Sequence, residues 1–416
     1  MKKLLIILML TLVSYSLFAV PTAKSFFFAD SYMLRAHGVE ANYWNPAKLS
    51  GNSPAEIWLP LLNSGICVAN NALDLDTYNF FVTQDTLHTE DKEKLLNKID
   101  GSLRLDSSGN ISIFGTTMGN TAISSSTHLY AKGGCSEQYL DIMLYGNTED
   151  AYEFTAADNN VSALAYTDIS VGIGDLTLPQ ISENFPVIKA GVSASLLAGI
   201  LSVTTEEFNG HLENNQNESM SVLQEIVLRR GMGGIGFKSM LGFYSELTPY
   251  LEAGLTLDNI AGFINWNIEN RQRNLFFAVD SLFISNISED FYVYENESVD
   301  IDGFNTRIPP ELRLAVMYKH KYAIVSADWV QGFKESAATS SIGRISLASS
   351  FLPLPSLPIS IGIALPNSSS ALKLSYGIGY QSAGFDIGLA VQTYDSIIPG
   401  YKSKGVSLAT SMRIGF

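Results

Sequence analysis

Apolar and polar residues alternate most clearly at the C-terminal end of the chain. Val406, Leu408, Thr410, Met412, Ile414 and Phe416 share one face; Ser407, Ala409, Ser411, Arg413 and Gly415 share the other. A period of two marks a strand with different surroundings on its two faces, and about eleven residues is the length of a tilted membrane strand. The two preceding segments agree. Leu372, Leu374, Tyr376, Ile378 and Tyr380 alternate with Lys373, Ser375, Gly377, Gly379 and Gln381. After a tight turn at Ser382-Ala383-Gly384, Phe385, Ile387, Leu389 and Val391 alternate with Asp386, Gly388, Ala390 and Gln392. The longer stretch Asp395 to Lys404 then leads into the last strand. Short turns at one end and longer loops at the other are the habit of membrane barrels. A soluble sandwich would show the same alternation, but with its apolar face buried against a second sheet.

Further strands are less regular. Glu311 to Lys319 alternates through Leu312, Leu314, Val316 and Tyr318, and a His320-Lys321 turn leads to Tyr322–Gln331. Pro309-Pro310 suits the strand's entry, because proline cannot donate to a central ladder. Other candidates lie near 56–68, 110–118, 121–131, 161–171, 187–204, 221–230, 231–243, 247–257, 260–268, 275–284, 341–350 and 357–364. Single-chain bacterial barrels use even strand numbers, which gives about fourteen. No repeat of 40 to 50 residues points to a propeller. Two short helices interrupt the first third. One runs near 89–100, with Thr89 as cap, Leu95, Leu96 and Ile99 as its stripe and Gly101 after it. The other runs near 136–146, with Ser136 as cap, Tyr139, Leu140, Met143 and Leu144 on one face and Gly146 after it. Both are short enough to need a packing partner, at the barrel's end or in its lumen.

Composition narrows the compartment. Met1-Lys2-Lys3, the apolar run Leu4–Val13 and Ser16-Leu17-Phe18-Ala19 read as a signal peptide ending at Ala19. The longest later apolar stretch, Ala190 to Val203, is broken by Gly191, Ser193, Ser195 and Gly199, so no membrane-spanning helix is expected. A closed barrel can still cross, because its backbone groups are paired between strands. Charged residues are 16% of the chain, below the roughly 25% of a soluble domain, and the formal charge is −15. That acidity argues against a nucleic-acid partner.

Candidate chemistry is sparse. Gly231-Met232-Gly233-Gly234-Ile235-Gly236 matches GxGxxG, but a β-hairpin containing Pro249 follows where a phosphate-binding helix would be needed. The histidines (37, 88, 128, 211 and 320) show no metal-ligand spacing, and no hydrolase elbow appears. His128 with Ser125 or Ser126 is a candidate lipase pair, and a polar strand is its plainer explanation. No catalytic residue, metal or cofactor is expected. Cys67 and Cys135 could pair in an oxidising compartment. Glu289, Asp290, Glu295, Glu297, Asp300 and Asp302 crowd the stretch Ser285–Asp302, where no Lys or Arg balances them; it reads as a solvated loop, or as one that binds a cation or partner.

Asn45 can cap a short helix that starts at Pro46, where proline loses no needed N–H, and Tyr43 and Trp44 supply an aromatic anchor just before it. With Ala47 and Leu49, this YWNPA element resembles the N-terminal hatch of FadL-like outer-membrane proteins, PorV-like members included; Lys48 replaces the family's usual glycine. Pro309–Leu314 and Ala327–Phe333 also look like hairpin segments of such proteins. The resemblance implies an all-β, transmembrane antiparallel β-barrel of about 14 strands with an N-terminal hatch. The expected division is a signal peptide over 1–19, a hatch over 20–55 and a barrel with the two helical insertions over 56–416. The implied function is an outer-membrane barrel that passes or binds small hydrophobic compounds; the alternative is a binding or assembly partner for exported proteins. Tyr43, Trp44, Asn45, Pro46 and Ala47 are the hatch and ligand-path candidates. Phe416 is the expected assembly signal. Outer-membrane lipid and the barrel assembly machinery are the expected partners.

Overall fold

The computed structural model describes residues 22–51, 55–84, 87–99, 101–146, 150–180, 182, 185–215, 219–283, 292–354, 356–367, 370–382 and 384–415. Residues 1–21, which contain the expected signal segment, and Phe416 lie outside them. Among the described residues, nineteen strand segments join in one antiparallel sheet that closes on itself as a 14-stranded barrel. Glu56–Trp58 (β1) and Ser64–Asn70 (β2) occupy the first position. Ser102–Met118 (β3) and Thr121–Ser136 (β4) follow. Ala151–Thr155 (β5) and Asn160–Thr177 (β6) share the fourth, beside Ile188–Asn215 (β7) and Ser219–Thr248 (β8). Leu251–Asp258 (β9) and Gly262–Phe283 (β10) form the seventh. Tyr292–Asp300 (β11), Phe304–Ile308 (β12) and Glu311–Lys319 (β13) form the eighth. Ala323–Gly332 (β14), Arg344–Leu354 (β15), Leu357–Ala364 (β16), Lys373–Ser382 (β17), Phe385–Tyr394 (β18) and Gly405–Gly415 (β19) complete the circle. Closure comes from β19, which pairs with β2 through Leu408↔Ile66 and with β1 through Ile414↔Ile57. The sheet's hydrogen bonds therefore run round the full circumference, which a spanning structure requires.

The alternation has the polarity of a membrane protein. On β19, Val406 and Leu408 are exposed while Ser407, Ala409 and Ser411 are buried. On β18, Ile387 and Leu389 face out and Asp386, Gly388 and Gln392 face in. Leu314, Val316, Leu347 and Ile361 extend the outer apolar band. A sandwich would bury these side chains, and water would not tolerate so large an apolar surface; lipid does. No helix among the described residues is long and apolar enough to cross a membrane.

Several expected elements are longer or merged. The stretches 221–230 and 231–243 are one strand, β8, and 262–268 and 275–283 both lie in β10. Strands β7 and β8, of 28 and 30 residues, are about three times what a tilted crossing needs, so about two-thirds of each is surplus to the crossing. The GxGxxG run lies inside β8 with no helix after it. Gly233, at φ +66°, sits opposite the register shift between Trp266 and Glu269 of β10, a left-handed bulge position that glycine fills without strain. Between β13 and β14 the last pair is Lys319↔Ile324, so the turn is two residues longer than His320-Lys321.

The helices Thr89–Ile99 and Glu137–Tyr145 form where the sequence places them. Ser136 caps the second by accepting from the Tyr139 N–H at 3.2 Å, whereas Thr89 is the first residue of its helix rather than its cap. A third helix, Leu75–Thr83, has no counterpart in the sequence reading; Asp74 caps it by accepting from the Thr77 N–H at 2.7 Å. Phe81, Leu95, Ile99, Leu140 and Leu144 bury one another in a cluster at the barrel end that carries the longer connections.

Candidate functional site

Residues 22–50 contain no strand and lie inside the barrel. Short 3₁₀ turns at Ala23–Phe28, Gly38–Glu40 and Pro46–Lys48 flank a single helical turn, Ala41–Trp44. Pieces this short have little stability alone, so the wall must hold them. Phe26, Phe27, Met33, Leu34, Val39, Tyr43 and Trp44 are almost wholly buried against inward side chains of the strands.

The five residues singled out by the sequence come together as one anchor. The Asn45 Oδ1 accepts from the Ala47 N–H at 3.1 Å, capping the Pro46–Lys48 turn. Its Nδ2 donates to the Phe243 carbonyl of β8 at 3.0 Å, so one side chain both shapes the turn and fixes it to the wall. Pro46 and Ala47 lie against Gly174, Gly191 and Gly242 on β6, β7 and β8, where a Cβ would collide with Asn45, Pro46 or Ala47. Tyr43 stacks on Trp58 with centroids 6.2 Å apart and donates to Asp168 Oδ1 at 2.8 Å. The Trp44 indole N–H donates to Thr22 Oγ1 at 2.9 Å, its ring meets Tyr32 edge-on, and the Arg313 guanidinium lies 4.6 Å over it. Lys48, which stands where the resembled family has glycine, ion-pairs with Glu252 of β9 at 3.0 Å.

Polar bolts that the sequence reading missed complete the fastening. Arg35 donates through Nε to Ser326 at 2.7 Å, through Nη1 to Ser350 at 3.0 Å and through Nη2 to the Ile324 carbonyl at 2.7 Å. Burial lowers its pKa to about 10, still charged at neutral pH. Asp328 accepts from the Ser31 hydroxyl at 2.6 Å and the Met33 N–H at 3.0 Å. Lys24 ion-pairs with Asp386 at 2.9 Å. One signal was available: acids such as Asp168, Glu252 and Asp328 stand at inward positions of alternating strands, and a buried acid there requires a donor. Which donor it finds is a long-range matter. Glu40, wholly inside the barrel, accepts from the Tyr32 hydroxyl, and burial pushes its carboxyl up to about 7.

The hatch divides the lumen. On the side of the longer connections a cavity of about 270 Å³ lies against Trp44, Arg313, Asp328, Arg344, Lys373 and Tyr394. On the side of the short turns another, of about 420 Å³, lies against Tyr32, Arg35, Lys48 and Arg413. The remaining candidates resolve separately. His128 Nε2 meets Asp168 Oδ2 at 3.0 Å, but both are sealed beneath Tyr43, and the Ser125 hydroxyl donates to the Asp168 carbonyl at 2.6 Å. This is a structural polar cluster with no path for a lipid substrate. Cys67 and Cys135 are free; the Cys67 Sγ lies 2.9 Å from the Tyr394 hydroxyl. Of the acidic stretch, Glu295, Glu297 and Asp300 lie on the exposed strand β11 and Asp302 follows it, while Glu289 and Asp290 fall outside the described residues.

Residues 46–234 match a family described as being of unknown function, DUF5723. No curated protein matches the chain. Among solved structures, the barrel is similar in shape to the Ralstonia pickettii toluene transporter TbuX. That pair is 12% identical, with 91% of this chain and 94% of that chain covered and a TM-score of 0.48. The P. putida toluene transporter TodX is 11% identical over 91% and 94%, with a TM-score of 0.47. The monoaromatic hydrocarbon channel CymD is 13% identical over 91% and 93%, with a TM-score of 0.44. Likeness at this level concerns shape and assigns no substrate.

Proposed function

We propose that this chain is an outer-membrane β-barrel that binds small hydrophobic compounds and passes them beyond an N-terminal hatch. The observation that carries the reading is the divided lumen: a folded segment, fastened to the wall by Asn45, Tyr43, Arg35 and Lys48, separates two cavities inside a barrel with an apolar outer band. A diffusion porin keeps a continuous water path; this lumen is interrupted, so passage requires the hatch to move or a selective route round it. In this reading residues 1–19 are a removed signal, 20–55 the hatch and 56–416 the barrel. Tyr43, Trp44, Asn45, Pro46 and Ala47 shape the path, and Phe416 serves barrel assembly. The protein is a transporter rather than an enzyme. The partner-binding alternative gains no separate support from this geometry.

The test combines conductance with uptake. In planar bilayers the wild type should show little steady ion conductance. Trp44→Ala, which removes an indole packed against Tyr32 and Arg313 and costs about 3–5 kcal/mol at a buried site, should conduct more. Cells carrying the wild type should take up a hydrophobic dye, or toluene, faster than cells without it. A wide, steady wild-type conductance would identify an open pore, and equal uptake by both cell types would remove the transport reading.

A further inference from the structure

We propose that the connection Phe333–Gly343 is an internal strap that closes the lumen on the long-connection side of the hatch, latched to the far wall by Lys132 and Glu335. The strap is rooted between β14 and β15, the ninth and tenth of the fourteen strand positions. Its latch lies across the ring. Lys132, an inward residue of β4 at the third position, gives its Nζ to Glu335 Oε1 at 2.5 Å and to the Thr339 carbonyl at 2.9 Å. The tip reaches between the walls: Ala337 is buried and, with Ala338, packs in a cluster with Leu164 and Tyr166 of β6 and Ile264 and Trp266 of β10. The connection therefore crosses the barrel instead of arching outward. Two spaces meet it. Ala337 to Ser340 line the cavity of about 270 Å³ beside Trp44. Lys334 to Ala337 line another, of about 1050 Å³, against Leu164, Arg229 and Thr306. The strap stands between them.

What holds the strap differs in kind from what holds the hatch. Its tip is preformed: Ser336 Oγ accepts from the Ala338 and Thr339 N–H groups, each at 3.1 Å, and Glu335 Oε2 accepts from the Ser341 N–H at 2.9 Å. At the root the Gly332 N–H donates to the Ser340 carbonyl at 2.8 Å, and a Cβ on Gly332 would lie 2.8 Å from that oxygen. A side chain there would push the strap off its seat. The far end is weaker. Lys132 and Glu335 keep 25% and 51% of their side chains exposed, and an ion pair open to water contributes little. The apolar seat receives only the methyl groups of Ala337 and Ala338, a small part of what one leucine would bury. The hatch sets whole aromatic rings against the wall and answers buried acids with buried donors. A preformed arm with a firm root and a weak, water-reached far contact releases before the hatch does. The strap is thus the first of two closures in series, and it regulates access to the cavity beside Trp44.

This assignment deepens the transport reading and rests on it only in taking the closed space as part of a route. Its test uses the full barrel in a non-ionic detergent, with Cys67→Ser and Cys135→Ser removing the native thiols. Ser108→Cys reports the cavity beside Trp44, and Ser360→Cys the cavity on the short-turn side. Reaction with an uncharged maleimide is followed by mass spectrometry. Lys132→Glu sets two acids against each other and should speed labelling of the first reporter about fivefold, with the second unchanged. Lys132→Arg keeps the charge and the donors and should label as slowly as the parent. Gly332→Val disturbs the root instead, and should also speed the first reporter alone. Heat-dependent gel migration confirms that each variant is folded. No acceleration in Lys132→Glu or in Gly332→Val, fast labelling of Lys132→Arg, or acceleration of both reporters together would each overturn the strap. Dye uptake by cells separates the two readings: faster labelling without uptake removes transport and leaves the strap, whereas uptake with unchanged labelling removes the strap alone.

Discussion

Glu40 shows what a single residue costs inside this barrel. Its carboxyl is buried beside the Tyr32 hydroxyl, and although Arg413 and Lys24 favour its charge, burial dominates and raises the pKa to about 7. The unfolded chain gives up this proton near 4.5. Across the window between those values the folded state holds more protons, so Glu40's contribution to stability falls as the pH rises through it. Glu40→Gln cannot titrate and should flatten that part of the profile. The measurement is amide-exchange protection of residues 22–50 at pH 5, 6, 7 and 8: protection in the wild type should fall with pH more steeply than in the variant, after correction for intrinsic exchange. Equal slopes would mean that Glu40 is not the titrating group. At the same scale the YWNPA element was legible, because Asn45 and Pro46 act on neighbours one and two residues away. Arg35, Asp328 and Asp168 were not, because their partners lie tens to hundreds of positions distant.

At the scale of elements, the hatch fits because three adjacent strands lack side chains beneath it. A Cβ on Gly191 of β7 would collide with the backbone of Pro46 and Ala47. Gly191→Leu should therefore unseat the Asn45–Lys48 turn and raise bilayer conductance, while the barrel retains its heat-dependent migration. Unchanged conductance would show that the turn is not what closes the lumen. In sequence the glycines of Ala190–Val203 only break an apolar run; that Gly191 forms part of a seat follows from the register Gly191↔Gly242. The merged strands have a related cause. Polar residues and glycines end a strand in sequence logic, yet they continue β8 and β10 here because neighbouring strands supply the ladder. The helix Leu75–Thr83 is not legible in sequence because its aromatic and β-branched residues carry no strong helical preference, and Asp74 together with packing at the barrel end makes up the difference.

For the whole molecule, closure is the governing fact. With β19 paired to β1 and β2 the ring closes among the described residues, while β5 and β11 extend beyond it and each pair on one side only; opening the ring means breaking a ladder along a full strand. Unboiled protein in SDS should therefore migrate differently from boiled protein and show a β-rich circular dichroism spectrum. Identical migration with and without boiling, together with recovery in the water-soluble fraction, would contradict a membrane barrel.

The sequence by itself determined the strand class, the inside-out alternation, the number of strands to within an even count, two of the three helices and the capped turn at Asn45-Pro46. Each of these is written within a dozen neighbouring residues, as a period, a cap or a proline position. Tertiary structure alone decided that β7 and β8 outgrow the membrane, that His128 serves a buried cluster under Tyr43, and that the two cysteines stay apart. These depend on which strands lie side by side and in what register. Pairing is set by closing the whole ring and filling its lumen, a condition no local pattern contains.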